Sequence, residues 1–351
     1  MKSYFRPEID AMEGYVPGEQ PKMANLVKLN TNENPFAPSP EVEKVLRNFD
    51  ISRMRRYPDP RADLLRSAIA ERNGVKKENV IIGNGSDDIL TMIFRAFTSP
   101  DKAMAMLYPS YSLYAELAAM QGAGVIRIAL SEKNFELPEN LLAQAEKANL
   151  LMLTRPNAPT GNSFDFQVIA DICRKFDGIV VVDEAYADFA EDNCMELAKT
   201  LSNVIVMRTF SKSCALAGLR LGYAVSSEKI IEGLMKLKDS YNVDMLSQEI
   251  ALAAYNDTTY FSARVEEVKT MRSSLKGELE KLGFYCVDSQ SNFIFAMPPD
   301  KDGERCFKAL RDEAVIVRYF SGDATKNYVR ITIGNPAENA RLLEVLRSVY
   351  A

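Results

Sequence analysis

The segment 209–212 (TFSK), which ends in Lys212, follows a short apolar run at 204–207. An amine at the end of a buried strand can have a lowered pKa, and its neutral form can react with an aldehyde to give a Schiff base. Arg220, eight residues further on, suits a phosphate through paired charge-assisted hydrogen bonds. A single lysine such as Lys212 is far more often a solvated surface charge than a group that forms a Schiff base. The neighbouring motifs therefore determine which of the two interpretations is favoured.

A carboxylate ends another apolar run, in 181–186 (VVDEAY). Burying Asp183 at a strand end is costly unless the carboxylate is hydrogen-bonded or paired with a cation. One suitable cation is a protonated pyridine nitrogen, whose charged form an adjacent carboxylate stabilises. The alternative, an aspartate that only caps a turn, stays open on this motif alone.

The segment 83–88 (GNGSDD) joins an apolar run to a stretch whose apolar residues have helical spacing. Backbone N–H groups are free at a helix start, and the helix dipole favours an anion there. Gly85, Ser86 and Asp87 are therefore candidates to bind a phosphate. Ser86 or Asp87 could instead be a simple N-cap, which is the commoner use of such residues.

The chain has 351 residues and no histidine, which excludes a histidine general base, a Ser-His-Asp or Cys-His nucleophile and a His-ligated metal. Five scattered cysteines without a Cys-x-x-Cys pair are typical of reduced thiols, so no metal site is expected. The net charge of −5 argues against binding nucleic acid or an anionic membrane. With no signal-peptide run and no long apolar segment, we expect a cytoplasmic protein.

Short apolar runs recur at 80–82, 103–107, 150–153, 179–182, 204–207 and 221–225. Strands that are apolar on both faces are typical of a parallel sheet covered by helices. Polar residues follow five of these runs, and the carboxyl ends of strands in an α/β sheet are where ligands bind. The sequence therefore predicts one site at that edge.

The chain length favours more than one domain. Residues 1–45 are rich in Pro and Asn and are predicted to form an N-terminal arm, followed by a large domain at 46–264. A charged helix that ends near Gly283 leads into a shorter α/β section. We therefore predict a small C-terminal domain at 265–351.

The run 208–223 (RTFSKSCALAGLRLGY) resembles the lysine motif of fold-type I aminotransferases, which depend on pyridoxal 5′-phosphate. In detail, nearly the whole chain resembles the histidinol-phosphate aminotransferase family. The matching segments are 15–18 (YVPG), 29–35 (LNTNENP), 56–60 (RYPDP), 83–90 (GNGSDDIL), 109–114 (PSYSLY), 156–161 (PNAPTG), 181–186 (VVDEAY), 291–293 (SNF) and 329–334 (VRITIG). The implied fold is α/β, with a mostly parallel central sheet in the large domain and a smaller α/β C-terminal domain.

The resemblance implies a role for each motif. Lys212 would hold the cofactor as a Schiff base and move a proton, Asp183 would pair with the pyridinium nitrogen, and Tyr186 would hydrogen-bond the phenolate oxygen. The other implied cofactor contacts are Tyr111 on the ring face and, at the phosphate, Gly85, Ser86, Asp87, Ser211 and Arg220. Tyr57 would reach that phosphate from a neighbouring subunit, so a homodimer with shared sites is expected.

One position departs from the family pattern. Most members carry Asn-Pro-Thr-Gly where this chain has APTG at 158–161. Ala158 therefore replaces an asparagine expected to hydrogen-bond the phenolate oxygen. Asn157, one residue earlier, could take its place if the turn shifts.

For the substrates, the resemblance implies that Arg330 binds the carboxylate of the amino donor, Arg318 a second anion, and that Tyr15 covers the substrate. A surface arginine at a strand end is the alternative for Arg318. The implied reaction passes an amino group from an amino donor to a 2-oxo acid, between histidinol phosphate and 2-oxoglutarate. An aromatic amino acid aminotransferase, a threonine-phosphate decarboxylase and a non-catalytic cofactor-binding protein stay open as alternatives.

Overall fold

Strands and helices alternate along most of the chain. The computed structural model describes residues 3–12, 14 and 18–350, so Tyr15 lies outside the described residues. The strands are β1 (Val27–Lys28), β2 (Val80–Gly83), β3 (Ala103–Tyr108), β4 (Val125–Ala129), β5 (Ala148–Thr154), β6 (Ile179–Asp183), β7 (Val204–Thr209), β8 (Gly222–Val225), β9 (Tyr285–Cys286), β10 (Phe293–Met297), β11 (Val315–Ile316), β12 (Arg318–Tyr319) and β13 (Val329–Thr332).

The helices cover both faces of the central sheet or pack beside the C-terminal strands. They are α1 (Pro7–Asp10), α2 (Pro40–Asn48), α3 (Asp63–Asn73), α4 (Ser86–Phe97), α5 (Leu113–Met120), α6 (Leu141–Gln144), α7 (Phe166–Lys175), α8 (Met195–Thr200), α9 (Glu228–Met235), α10 (Met245–Asn256), α11 (Thr258–Lys281), α12 (Gly303–Asp312) and α13 (Pro336–Tyr350). No helix among the described residues is long and apolar enough to cross a membrane.

The described residues form a central sheet of seven strands in the order β2-β8-β7-β6-β5-β3-β4. Its interior strands are apolar on both faces, and Val180, Val181 and Val182 of β6 are fully buried between the layers of helices. Neighbours from β7 to β4 pair in parallel, whereas β8 is antiparallel to both β7 and β2. The predicted mostly parallel α/β sheet is confirmed.

Two details of the sheet differ from the prediction. The run 221–225, expected to be parallel, forms antiparallel β8, because the twelve residues 210–221 hold only the short 3₁₀ turn Ala217–Leu219. A parallel return usually runs through an α-helix, and this connection has none. Strand β4 was not predicted because it pairs on one side only and exposes Arg127 instead of being apolar on both faces.

The five strands whose ends carry polar residues all point the same way. Strand β2 is antiparallel to β8, which is antiparallel to β7, so β2 runs with β7, β6, β5 and β3. Their carboxyl ends therefore meet at one edge of the sheet, as ligand sites in α/β proteins require.

A second core forms around the smaller antiparallel sheet, β12-β13-β10-β9. The N-terminal segment joins it, because β1 pairs in parallel with β11 and Leu29 is buried in the same core. The division at residues 45 and 264 stays a prediction, and both positions lie inside helices, α2 and α11. Helix α11 thus connects the two cores.

Candidate active site

A cavity of about 640 Å³ lies between the carboxyl edge of the central sheet, strands β12 and β13, and the segment that follows β1. Ten of the predicted site residues line it: Ser86, Asp87, Tyr111, Asp183, Tyr186, Ser211, Lys212, Arg220, Arg318 and Arg330. Asn157 and Tyr57 do not line it, and Gly85 lies behind Arg220 at its edge. Most of the residues predicted from separate motifs therefore come together.

Lys212 lies in the loop after β7, and its half-buried side chain reaches across the cavity. Its Nζ donates a hydrogen bond to the carbonyl oxygen of Thr31 at 2.9 Å. Asn34 fixes the loop, because its Nδ2 donates to the Lys212 carbonyl oxygen at 2.9 Å. Burial lowers the pKa of Lys212 from 10.5 to about 7, and the positive charge of Arg330 adds to the effect. A large share of the amine is therefore neutral near pH 7, the form that reacts as a nucleophile.

Asp183 ends β6 and is 5% exposed. Its Oδ2 accepts a hydrogen bond from the Tyr114 hydroxyl at 2.6 Å, and its Oδ1 accepts from the Ala185 backbone N–H at 3.0 Å. Burial raises the pKa of Asp183 from 3.8 to about 6. A cation beside this carboxylate would lower that pKa again, because it favours the ionised form.

Tyr186 follows β6 and is almost buried. Its hydroxyl oxygen accepts a hydrogen bond from Nδ2 of Asn32 at 2.8 Å. Its ring meets Phe293 edge-on, with 5.1 Å between centroids, and packs beside Ala158. Nζ of Lys212 lies 5.9 Å from the centre of the same ring. The tyrosine is thus held at both its ring and its hydroxyl, next to the reactive amine.

The far end of the cavity has the features of an anion site. Helix α4 begins at Ser86, and its first backbone N–H groups have no partners within the helix. Gly85 precedes it with φ +82, and a Cβ on Gly85 would lie 2.7 Å from Nη2 of Arg220. Arg220 also donates to Oδ2 of Asp87 at 3.2 Å, a half-exposed pair that contributes little stability. The helix start, the guanidinium and the Ser211 hydroxyl together suit a phosphate.

Asn157 is where the structure corrects the prediction from sequence. The side chain is fully buried behind the cavity wall, with its Nδ2 donating to Pro109 O at 3.0 Å and to Thr160 Oγ1 at 2.7 Å. Its Oδ1 accepts from Ser110 Oγ at 3.1 Å. The hydrogen bonds of the Asn157 amide therefore stabilise the turn, and the methyl group of Ala158 faces the cavity instead.

Arg318 and Arg330 form the opposite side of the cavity. They occupy directly opposed positions on the antiparallel strands β12 and β13. Nη2 of Arg330 donates to the carbonyl oxygen of Asn30 at 2.9 Å, which fixes its direction. Like charges at opposed positions destabilise a sheet, and a bound anion would offset that cost.

Tyr57 lies away from the cavity in its own chain. It is 79% exposed and stacks on Tyr241, with 4.4 Å between ring centroids. Ile51, Met54 and Leu64 nearby are also large apolar side chains exposed to solvent.

Two residues at the site, Asn32 and Tyr114, had no role in the prediction from sequence. Both lie inside segments that carry the family resemblance, 29–35 and 109–114. Tyr114 is fully buried, and Thr154 lies within hydrogen-bond distance of its hydroxyl, at 3.0 Å. The types of these residues gave no signal, since a buried tyrosine or asparagine is ordinarily a core residue with satisfied hydrogen bonds.

Comparisons with known proteins agree with this geometry. A family model described as aminotransferase class I and II matches residues 24–346. The chain is 39% identical over 350 residues to histidinol-phosphate aminotransferase 1 of Nostoc sp., covering 99% of each chain. It is 42% identical over 346 residues to the histidinol-phosphate aminotransferase of Citrifermentans bemidjiense, covering 98% of each.

A solved structure has the same fold. The histidinol-phosphate aminotransferase from Sinorhizobium meliloti, determined in complex with pyridoxal-5′-phosphate, superposes with a TM-score of 0.90 at 24% identity, covering 99% of each chain.

Proposed function

Because the chain belongs to the class I and II aminotransferase family, we propose that it is a pyridoxal-phosphate-dependent enzyme that transfers an amino group between histidinol phosphate and 2-oxoglutarate. Relatives that are 39% and 42% identical over almost their full lengths carry the name histidinol-phosphate aminotransferase. The observation that carries the proposal is the Lys212 amine, whose pKa falls to about 7 in a cavity that it shares with Asp183 and an anion site.

The residues present fit pyridoxal phosphate. The cofactor's aldehyde reacts with a neutral amine, and Lys212 supplies an amine that is partly neutral. Its protonated ring nitrogen is stabilised by a carboxylate, and Asp183 supplies a buried one. Its phosphate calls for donors at a helix start, found at Ser86 with Arg220 close by. These groups all border one cavity of about 640 Å³, which is large enough for a cofactor and a small substrate.

When bound, pyridoxal phosphate supplies an aldehyde that condenses with amines and a ring that accepts electrons from the substrate carbon. Nζ of Lys212 would hold the aldehyde and would take up and return the proton of the substrate carbon. Asp183 would keep the positive charge on the ring nitrogen, and Tyr114 holds that carboxylate in place. Tyr186 would donate to the ring oxygen.

The two arginines suit the two substrates. A transaminase of this kind alternates between a substrate with a carboxylate and one with a phosphate, and both anions pair well with guanidinium groups. Arg330 and Arg318 face the same cavity as Lys212, from the opposite side. We assign the anionic ends of both substrates to this pair.

The proposed assembly is a homodimer in which Tyr57 reaches the phosphate site of the partner subunit. Its support is the exposure of Tyr57 and Leu64, which line one surface groove, and of Ile51 and Met54 close by in the sequence, because exposed apolar surface of this kind marks sites of contact between protein chains. Sedimentation of the purified protein tests the dimer, and a monomer with full activity would contradict it. Tyr57→Phe should weaken cofactor binding by about tenfold, the loss of one hydrogen bond.

The test of the proposed reaction is the absorbance spectrum of the cofactor-loaded protein with four amines in separate samples. Histidinol phosphate should convert the bound cofactor to its amine form at the lowest concentration, ahead of phenylalanine, threonine phosphate and glutamate. Stronger conversion by phenylalanine would reassign the substrate but keep the reaction. Loss of carbon dioxide from threonine phosphate, without a keto product from the donor, would contradict the aminotransferase assignment.

A further inference from the structure

Asn32 is buried behind the tyrosine of the active site. It is 1% exposed, with a left-handed backbone at φ +54. Its Nδ2 donates to the Tyr186 hydroxyl oxygen at 2.8 Å, and its Oδ1 accepts from the Thr332 hydroxyl at 3.1 Å. Its backbone N–H donates to that same hydroxyl at 3.0 Å, and its carbonyl accepts from Asn292 Nδ2 at 3.0 Å. Asn32 is therefore held by four hydrogen bonds.

The contacts to Thr332 determine which end of the amide faces Tyr186. The Thr332 hydroxyl accepts from the Asn32 backbone and donates to Oδ1 of the same residue. The reverse amide orientation would take this acceptor away from the Thr332 proton and place a second donor against its oxygen. The side of the amide that faces Tyr186 is therefore the N–H donor.

This donor controls the tyrosine proton. Because the Tyr186 oxygen accepts from Asn32, its own proton points in another direction, and Tyr186 lines the cavity. A hydroxyl that accepts one hydrogen bond becomes a stronger donor of the next. Ala158, which packs beside Tyr186, has no polar side-chain atom and cannot donate a hydrogen bond of its own.

We propose that Asn32 is a positioning residue that sets the direction and strength of the hydrogen bond from Tyr186 to the ring oxygen of the bound cofactor. The inference rests on the proposed function, since it needs pyridoxal phosphate in the cavity. A stronger donor to the ring oxygen stabilises the form of the cofactor that has lost its proton. The pH midpoint of the cofactor's visible absorbance therefore reports Asn32 directly, without any turnover.

The experiment titrates that absorbance in four loaded proteins: the natural chain, Asn32→Gly, Tyr186→Phe and the double variant. Glycine tolerates the left-handed backbone, so Asn32→Gly removes the donor without backbone strain. We expect its midpoint to rise by about 0.5–1 pH unit, the size of one ordinary hydrogen bond. In the Tyr186→Phe background the same change should add no rise, because the two residues act as a unit.

Two further variants separate positioning from general destabilisation. Asn32→Asp keeps the size of the side chain but offers a hydrogen-bond acceptor in place of the donor. The Tyr186 hydroxyl should then turn its proton toward the new carboxylate, and the midpoint should rise at least as much as in Asn32→Gly. Asn25→Gly is the matched control, because Asn25 is exposed, has φ +53 and does not line the cavity. It should leave the midpoint where it is in the natural chain.

The possible results are distinct. An unchanged midpoint in both Asn32 variants overturns this inference alone and leaves the proposed function intact. Equal shifts with and without the Tyr186 hydroxyl also overturn it, because Asn32 would then act by another route. A chain that shows no visible band after addition of pyridoxal phosphate overturns the proposed function, and this inference with it.

Discussion

The two sides of the cavity are built from different kinds of chain segment. The sheet side, with Asp183 and Lys212, comes from the end of β6 and from the loop that directly follows β7. The arginine side, with Asn32, Arg318 and Arg330, joins the N-terminal segment to strands 300 residues away in the sequence. In the proposed function, the sheet side holds the groups that react, and the arginine side holds groups that orient substrate and cofactor. Substitutions on the first should therefore lower kcat, and substitutions on the second should mainly raise KM or shift a pH midpoint.

The largest expected effect is on the sheet side, at Lys212. Lys212→Ala removes the side chain that we propose both binds the cofactor aldehyde and moves the proton, so kcat should fall by at least ~10³-fold. Some cofactor should stay bound through the anion site at Ser86 and Arg220. Steady-state kinetics measure the fall in kcat, and the cofactor content after gel filtration measures how much cofactor stays bound. Lys236→Ala, at an exposed side chain, is the control. Near-natural turnover by Lys212→Ala would show that the reactive amine lies elsewhere.

A smaller loss is expected at Asp183. Asp183→Asn keeps the shape of the side chain but loses the negative charge that we propose holds the ring nitrogen protonated, so kcat should fall by about 10²-fold. Kinetics with histidinol phosphate at saturation measure this, with Asp171→Asn on the exposed face of α7 as the control. If Asp183→Asn changed only KM, the carboxylate would belong functionally to the arginine side, and the comparison would fail.

On the arginine side the expected change is in substrate affinity. Arg330→Lys keeps the positive charge but loses the paired geometry of a guanidinium, so KM for glutamate should rise by about 10–100-fold while kcat changes less. Arg318→Lys should act in the same direction, more strongly on histidinol phosphate. Arg174→Lys, which is exposed on α7, is the control. An effect on kcat alone would contradict an anion-binding role.

The smallest effect is on the stability of the cofactor-free protein. Because the pKa of Lys212 falls from 10.5 to about 7, the folded chain loses that proton first, and stability should rise as pH increases through this window. The pKa of Asp183 rises from 3.8 to about 6, so its contribution is present at low pH and is lost between these values. Lys212→Met and Asp183→Asn should each remove their part of this pH dependence, a change in Tm of several °C across the window in thermal unfolding, larger for Lys212. Equal pH profiles in the variants and the natural chain would contradict the two shifted pKa values.

The contrast between the two sides also explains how much could be predicted from sequence. Lys212 and Asp183 follow apolar runs, and parallel pairing brings strand ends together without further information. The direction of β8 depended on the absence of an α-helix from one connection. The hydrogen bonds of Asn32 to Tyr186 and Thr332 join segments that are far apart in the chain, and no local pattern records them.

The turn at 156–161 shows a different limit. The family resemblance located it, but whether Asn157 or Ala158 faces the cavity depends on how the Asn157 amide is used. The hydrogen bonds of Asn157 to Pro109 and Thr160 hold its side chain behind the wall of the cavity. Such a choice between neighbouring residues is settled by packing, which spacing alone does not encode.

The most direct test of the role of Lys212 is to find which lysine carries the cofactor. The protein is loaded with pyridoxal phosphate, reduced with borohydride to fix the bond, digested, and mapped by mass spectrometry. The reduced cofactor should be attached to Lys212, and Lys212→Ala should take up no label under the same conditions. Stoichiometric label on another lysine, with Lys212 unmodified, would contradict the assignment of Lys212.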